Sequence, residues 1–434
     1  PMNNPALSRK PSRGLMGFPS EPQEHPQTVW AEALADDDGG RRTLYLHIPF
    51  CRSRCSFCLF YSGSATDSER AGYVRLLAKE LNDWSERLPP SPINAVYFGG
   101  GTPSDLAPQE MELLLGILRS RYPLANDCEI TLESRLNGLT DRKIDAAIAN
   151  GVNRFSLGVQ TFDTELRRRL GRVSDRETVL ETLGRLTARN QASVAVDLLY
   201  GLPGQTPELL LADLETLLNS GVSGLSFYRL NVRPTSELAG QLAAGTMPPV
   251  PPEETIYRLY ELAEERLEAA GVKRLSFKHF SFDPRERNLF NEISAWKVPC
   301  LPFGLKARGR LGAYQFRQTV DMAVYRSCVE TGAKPVERAG KLPPDYPVAF
   351  RLTGQLNSRM TADPAFIAAA APPELRETVR RVLCEQLSEL EREGLTAATA
   401  YGGWKLTRMG RFRFYPVATR LLEEIAKCWE MESK

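Results

Sequence analysis

The sequence lacks any long apolar run. None reaches the roughly 18 residues that a membrane-spanning helix needs, and the first residues show no apolar segment of the secretory type. The 434 residues also carry little net charge, because 55 Lys and Arg offset 53 Asp and Glu to leave +2. So small a charge provides no field that would steer nucleic acid. We therefore expect a cytoplasmic protein, with neither a membrane span nor a nucleic-acid partner.

Cysteine is also scarce, with eight residues in the whole chain. That number is too small for a disulfide framework in a protein of this length. Three of the eight nevertheless fall within eight consecutive positions, at Cys51, Cys55 and Cys58. This clustering predicts a metal or iron–sulfur site.

What the sequence does contain is a repeated pattern of short apolar runs and longer amphipathic stretches. The apolar runs predict strands at 43–48, 93–98, 128–133, 154–160, 193–199 and 225–230. The amphipathic stretches between them predict helices at 67–87, 108–121, 141–150, 175–190 and 207–220. Six βα units in series predict an α/β fold, a parallel sheet curved toward a partial (β/α)6 barrel with its helices outside. Ligands of such folds bind at the carboxyl ends of the strands.

The chain divides into four predicted segments. Residues 1–42, rich in proline, predict an irregular leader; 43–250 predict the partial barrel; and 251–345 predict a core extension that covers the substrate. Residues 346–434 predict a small winged-helix-like module, because an amphipathic helix precedes a wing strand through Trp404 and a last helix. The charges of this module are mixed, which favours a structural cap over a DNA-binding role.

The three clustered cysteines have the spacing C-x3-C-x2-C and directly follow the first predicted strand. Three thiolates can hold three irons of a cubane cluster, whereas an ordinary electron-transfer cluster uses four cysteines. The fourth iron is then open to an outside ligand. The alternative is zinc, bound by the same cysteines and His47, although structural zinc favours paired cysteines from separate turns.

This motif resembles the signature of radical S-adenosylmethionine (SAM) enzymes. The wider segment Tyr45-Leu46-His47-Ile48-Pro49-Phe50-Cys51 is similar to the opening of one branch of that superfamily, which includes the oxygen-independent coproporphyrinogen III oxidases, the related haem chaperones and the class C methyltransferases. The resemblance implies a [4Fe–4S] cluster on Cys51, Cys55 and Cys58, with SAM on the open iron and a low-potential flavodoxin or ferredoxin as reductant.

The resemblance also implies a SAM site at the strand ends. Gly99, Gly100, Gly101 and Thr102 resemble the segment that contacts the methionine amino group, although a glycine run alone is equally consistent with a tight turn. Polar residues that end or follow the next strands complete the implied site: Gln160 and Asp197 on the ribose hydroxyls, Arg172 on the SAM carboxylate, Glu133 beside the cofactor and Tyr45 near the cluster. We predict Tyr45 and Glu133 as the catalytic residues.

Two features separate the reactions known in this branch. Phe60 stands where the oxidases carry a further cysteine, and 285–291 and 303–314 resemble the class C methyltransferases of the anaerobic haem-degrading (anaerobilin synthase) type. This resemblance implies two SAM molecules and transfer of a methyl or methylene group to an sp2 carbon of a tetrapyrrole or related unsaturated ring. The alternatives are a cyclopropane-forming or small-aromatic enzyme of the same class, an oxidase-like enzyme and a non-catalytic haem chaperone.

The chain also departs from the family pattern at several positions. Leu59 replaces a glycine of the cysteine motif, and Phe277-Lys278-His279-Phe280 replaces a more polar histidine–tryptophan segment. Leu305, Lys306, Arg308 and Arg310 interrupt a glycine-rich segment, and the three cations among them offer partners for substrate carboxylates. We expect His279, Cys300 and Cys328 to be packed side chains, and the protein to be a monomer.

Overall fold

A computed structural model of the chain describes residues 20–37, 39–58, 61, 63–296 and 298–432. The strands are β1 (Glu21–Pro22), β2 (Arg42–Ile48), β3 (Ile93–Gly100), β4 (Leu124–Ser134), β5 (Arg154–Gln160), β6 (Ser193–Tyr200), β7 (Gly224–Arg229), β8 (Lys273–Arg274), β9 (His279–Ser281), β10 (Cys300–Phe303), β11 (Arg308–Leu311), β12 (Tyr314–Gln318), β13 (Val336–Lys341), β14 (Thr361–Ala362), β15 (Thr396–Ala398) and β16 (Trp404–Leu406). The helices are α1 (Pro26–Ala35), α2 (Asp67–Ser85), α3 (Pro108–Arg121), α4 (Asp141–Ala149), α5 (Thr164–Arg169), α6 (Arg176–Arg189), α7 (Pro207–Leu218), α8 (Glu237–Ala243), α9 (Glu253–Ala269), α10 (Leu289–Ser294), α11 (Met322–Glu330), α12 (Tyr346–Gly354), α13 (Pro364–Ala368), α14 (Arg376–Arg392), α15 (Arg408–Phe412) and α16 (Phe414–Glu432).

The six predicted strands are β2 to β7, and they pair in parallel in chain order. β10 adds a further parallel strand beside β2, and β11, β12, β13 and β1 continue that edge as antiparallel strands. At the other edge, β9 and β8 follow β7. Within the described ranges β2 and β7 do not pair with each other, so the six-stranded unit is an open, partial barrel. The predicted α/β architecture is therefore confirmed.

Each parallel strand alternates between an apolar face and a more polar face. Leu44 and Leu46 of β2, for example, belong to the main hydrophobic core, whereas Tyr45 between them does not. The same alternation places Val96 and Phe98 in the core. Because successive side chains of a strand point to opposite faces, all core-facing residues contact the helical layer and the intervening ones line the other face. We call this second face the inner face.

The predicted helices start at residues that can cap them. Thr66 accepts a hydrogen bond from the Glu69 backbone N–H, and the Glu69 carboxylate accepts one from the Thr66 backbone N–H at 2.8 Å, which forms a capping box for α2. Thr206 caps α7 in the same way through its hydroxyl. No helix in the described part of the chain combines the length and apolarity needed to cross a membrane.

The prediction of an irregular leader missed helix α1. Pro26 occupies its first turn, where a missing N–H costs nothing. Its apolar positions include Trp30, which is 1% exposed and packs edge-on against Trp84 and Phe316 at 6.0 and 5.0 Å between ring centroids. Burial of one large aromatic side chain therefore holds a short helix that has little periodicity of its own. Residues 1–19 of the leader lie outside the described residues.

The C-terminal part has a hydrophobic core of its own, centred on α14 and α16. β14, β16 and β15 form a small antiparallel sheet beside these helices. It contacts the barrel through Phe414, which stacks on Phe277 at 3.7 Å, and through Arg411, whose Nε donates to the buried Glu264 at 3.1 Å. The module is thus anchored to α9 and to the segment before β9.

Candidate active site

The cysteine loop follows β2 at the carboxyl end of the sheet. Cys51 and Cys55 are buried and Cys58 is half-buried. Backbone hydrogen bonds hold the loop: the Cys51 N–H donates to Gly63 O at 3.0 Å, and the Ser56 N–H donates to Leu170 O at 3.2 Å. The three thiols therefore belong to one loop that is closed by its own backbone and fixed to the segment after α5.

Polar groups contact the sulfurs of Cys51 and Cys55. Cys51 Sγ lies 2.9 Å from Thr102 Oγ1, and a guanidinium nitrogen of Arg135 lies 3.5 Å from Cys55 Sγ. Arg135 also donates to Ser53 O at 2.6 Å. Burial raises the pKa of the Cys51 thiol, and Thr102 and Arg135 oppose that rise. Hydrogen bonds to ligand sulfurs are one of the means by which proteins tune iron–sulfur clusters.

The donor set fits a cubane cluster better than a single metal ion. Across the described ranges, no three His, Cys, Asp or Glu side chains converge closely enough to hold one ion. His47, the fourth ligand of the zinc alternative, has its Nδ1 3.0 Å from the Tyr45 hydroxyl. A cubane binds each thiolate at a different iron, so its ligands need not converge on one point. Cys51, Cys55 and Cys58 can hold three irons and leave one without a protein ligand.

The glycine run at the end of β3 has a packing role. A Cβ on Gly99 would lie 2.9 to 3.0 Å from the side chains of Tyr97, Glu133 and Tyr45. Gly100 has φ +113°, and a Cβ there would lie 2.6 to 2.9 Å from the His47 ring. Its N–H donates to the Glu133 carboxylate at 3.0 Å. The glycines therefore let these inner-face side chains come together, as the tight-turn alternative allowed.

Two carboxylates share the inner face. Glu133 accepts a hydrogen bond from the Tyr97 hydroxyl at 3.1 Å. Burial raises the pKa of Glu133 to about 7, and the negative charge of Asp197 adds to that rise. Burial also raises the pKa of Asp197 to about 6, against a hydrogen bond from Ser226. Both groups thus lie where burial makes their charge costly.

Arg172 lies between the cysteine loop and these carboxylates. Its guanidinium and the Gln160 amide both pack over Gly158, where a Cβ would lie 2.9 Å from each. Gln160 has φ +75°, in the left-handed region. The Arg172 Nε is buried and has no hydrogen-bond partner within the described residues, and burial lowers the pKa of this group. A buried, incompletely paired guanidinium fits the carboxylate of an amino-acid ligand such as SAM.

Comparison with known proteins identifies the family. A family model described as the radical SAM superfamily matches residues 45–217. The chain is 35% identical to anaerobilin synthase of Escherichia coli O157:H7 over 335 residues, which cover 75% of each chain. The chain belongs to the radical SAM superfamily. Proteins of this superfamily use a [4Fe–4S] cluster and SAM, which is consistent with the thiol set and the orphaned guanidinium.

Other relatives place this radical SAM protein in the predicted branch. It is 33% identical to the heme chaperone HemW of Escherichia coli K12, over 54% of its own length and 60% of the chaperone. It is 30% identical to the oxygen-independent coproporphyrinogen III oxidase of Paracoccus denitrificans, over 61% of its own length and 59% of the oxidase. The solved coproporphyrinogen III oxidase (HemN) of Escherichia coli matches 92% of both chains with a TM-score of 0.78 at 22% identity, which shows the same fold.

In this radical SAM protein the predicted site residues lie on the inner face and at the carboxyl-end rim of one sheet, and two residues have surroundings that the sequence did not predict. Thr102 contacts Cys51 rather than an open site. Arg310, expected as a partner for substrate carboxylates, instead donates to Ser294 O and Val298 O at 3.3 Å and lies 4.6 Å from the Phe350 ring. Its cation thus fastens β11 to neighbouring segments. Leu59 and Phe60 lie outside the described residues.

Sequence reasoning missed several inner-face residues. The chief examples are Tyr97, Phe290, Tyr228 and Lys278. Phe290 packs against Tyr97 at 4.8 Å between ring centroids, with the rings tilted by 37°, and its centroid lies 6.3 Å from that of Tyr45. The alternation of the strands would have found Tyr97 and Tyr228, because each lies two residues from another inner-face residue. Phe290 and Lys278 lie outside the parallel strands, so no periodicity marks them.

Proposed function

We propose that this chain is a class C radical SAM methyltransferase that transfers a methyl or methylene group to an sp2 carbon of a tetrapyrrole, in anaerobic haem degradation. The observation that carries the proposal is the 35% identity with anaerobilin synthase over three quarters of both chains. The match extends well beyond the 45–217 segment common to the superfamily. At 335 residues, the match therefore includes sequence on which members of the superfamily need not agree.

Each of the predicted site residues would bind a different part of the cofactors. Cys51, Cys55 and Cys58 would hold the cluster, Arg172 the carboxylate of one SAM, and Asp197 with Gln160 its ribose. When bound, the cluster and two SAM molecules supply a carbon-centred radical and a one-carbon unit. The protein's part is to hold the reacting groups within contact distance and to exclude water.

The aromatic lining of the inner face supports a planar, unsaturated acceptor. Tyr45 and Tyr97 lie nearly parallel, 6.3 Å apart at an interplanar angle of 17°, and Phe290 packs against both. Aromatic faces of this kind bind flat ring systems through dispersion and offset stacking. A tetrapyrrole is the acceptor that fits both this lining and the relatives.

Glu133 is suited to hold a proton near the acceptor. With a pKa of about 7, its carboxyl group is poised between its protonated and ionised forms at neutral pH. Tyr97 fixes one carboxyl oxygen and the Gly100 N–H fixes the other. We propose that Glu133 exchanges a proton with the ligand while Tyr45, whose pKa is raised by burial, stays protonated.

The proposal is tested by product analysis. Anaerobically reconstituted protein, given haem, SAM and dithionite or a reduced flavodoxin, should form both 5′-deoxyadenosine and S-adenosylhomocysteine while haem is consumed. The Cys51→Ala variant serves as the inactive control. Deoxyadenosine without S-adenosylhomocysteine, together with an oxidised tetrapyrrole, would favour the oxidase alternative. Haem that stays bound and intact, with neither product, would favour the chaperone.

A further inference from the structure

Lys278 places an ammonium group on the inner face, where it has no ionic partner among the described residues. Its Nζ lies 5.0 Å from the centroid of the Tyr228 ring and 5.4 Å from that of Phe277. Asp197 acts on it electrostatically, yet within the described residues no carboxylate lies within the 4.0 Å of an ion pair. The side chain is half-buried, so its surroundings replace only part of its hydration.

A half-buried cation in this position is costly to maintain. Burial disfavours its charged form, and lowers the pKa of Lys278 to about 8. At neutral pH the group is still mostly protonated. The nearby cation Arg154 differs, because Glu286 binds it bidentately at 2.8 to 3.1 Å. Glu286 therefore neutralises Arg154, whereas Lys278 can still bind an anion.

The position of Lys278 separates it from the Arg172 site. Arg172 packs over Gly158 of β5, whereas Lys278 packs on Tyr228 of β7, and β6 with Asp197 lies between them. The two cations thus lie on opposite sides of β6, and each acts electrostatically on Asp197. The inner face offers a second anion position, flanked by two aromatic rings.

We infer that Lys278 is the anchor of a second carboxylate subsite on the inner face. The inference rests on the proposed function, which supplies two sources of that carboxylate: an acidic side chain of the tetrapyrrole acceptor, or the methionine carboxylate of a second SAM. The Lys278 ammonium group can bind one carboxylate as a point charge. The rings of Tyr228 and Phe277 provide apolar surface for the carbon skeleton to which that carboxylate is attached.

The test compares binding of haem, haem dimethyl ester and SAM to cluster-reconstituted protein. Lys278→Met is the test variant, Lys278→Arg keeps the charge, and Lys273→Met removes an exposed lysine five residues away as a control. Haem and its ester are followed by Soret titration, and SAM stoichiometry by equilibrium dialysis. The ester lacks the free carboxylates, so it isolates their contribution.

If the acceptor supplies the carboxylate, Lys278→Met should weaken haem binding by about tenfold and leave the ester unaffected, and Lys278→Arg should restore most of the loss. If SAM supplies it, Lys278→Met should lose one of two bound SAM molecules and bind haem normally. Unchanged haem binding and unchanged SAM stoichiometry would overturn the inference. Wild-type protein that binds no haem would instead contradict the proposed function. In that case the SAM stoichiometry of Lys278→Met would by itself decide whether Lys278 anchors a carboxylate.

Discussion

The buried pair of Glu80 and Lys334 is a contact whose loss should be costly to the fold. Lys334 Nζ lies 2.7 Å from Glu80 and also donates to Pro302 O at 2.7 Å, and both charged side chains are at most 1% exposed. Glu80 belongs to α2, whereas Lys334 precedes β13. The pair thus joins the antiparallel edge of the sheet to the helical layer. We take Lys334→Met as the perturbation.

The magnitude follows from what the substitution leaves behind. Glu80 keeps three donors, the Gly304 N–H, the Gln318 amide and the Tyr325 hydroxyl, at 2.7 to 2.9 Å, but loses its counter-charge. Breaking a buried pair on one side costs about 3–5 kcal/mol. Because these donors remain, we expect a loss of about 3 kcal/mol in the free energy of unfolding.

A second substitution separates charge from packing. Glu80→Gln added to Lys334→Met removes the unpaired charge. Gln318, whose amide oxygen has no partner within the described residues, can turn that oxygen toward the new amide at the expense of its hydrogen bond to Pro302 O. The double variant should therefore recover about 1 kcal/mol or more relative to Lys334→Met alone.

Urea unfolding followed by tryptophan fluorescence measures the stability of both the single and the double variant. The ring centroids of Trp30 and Trp84 lie 5.4 and 5.5 Å from Lys334 Nζ, so these rings report on this region. All variants are compared in the same reconstituted state, with Lys341→Met as an exposed control. A loss below about 1 kcal/mol in Lys334→Met, or a double variant less stable than the single one, would refute this reasoning.

Three further predictions concern the site. The folded pKa of Glu133 is about 7 against an ordinary 4.5, so the free energy of unfolding should fall by up to about 3 kcal/mol as pH rises from about 4.5 to 7. Glu133→Gln should flatten this pH dependence when stability is measured by urea unfolding. An unchanged slope in the variant would contradict the prediction. Arg172→Met should weaken SAM binding by about tenfold in equilibrium dialysis, with the charge-conserving Arg172→Lys intermediate, and equal affinities would exclude a carboxylate there. Gly100→Ala should lower the free energy of unfolding by about 1–3 kcal/mol, because Gly100 has a positive φ and an added Cβ would clash with the His47 ring. Gly116→Ala, in an open helical position, should not lower it. Similar melting temperatures of the two variants would contradict this difference.

The parallel core could be predicted from sequence because its strands follow one another along the chain and alternate cleanly. Their bounds agree with the predictions to within a few residues, including β5, which is predicted without error. The antiparallel edge could not be predicted in this way. β11, for example, contains two arginines in four residues, and tertiary pairing with β10 and β12 overrides its weak strand propensity.

The candidate site likewise contains residues that are close in sequence, which could be predicted, and residues from distant segments, which could not. Cys51, Cys55 and Cys58 are close in sequence, so their spacing alone predicted a common site. Arg135, in contrast, reaches Cys55 across 80 positions of the chain, and the aromatic lining depends on Phe290 approaching β3 from a later segment. Such contacts depend on chain folding, and no local pattern encodes them.

The cysteine loop is tested most directly by Mössbauer spectroscopy and iron analysis of anaerobically reconstituted protein. The account predicts a [4Fe–4S] spectrum in which one iron site changes when SAM is added. Cys51→Ala, Cys55→Ala and Cys58→Ala should each lose the cluster, whereas Cys328→Ala should retain it. Iron content that is the same in all four variants, or reconstituted protein that holds zinc in place of iron, would contradict the assignment of these three cysteines.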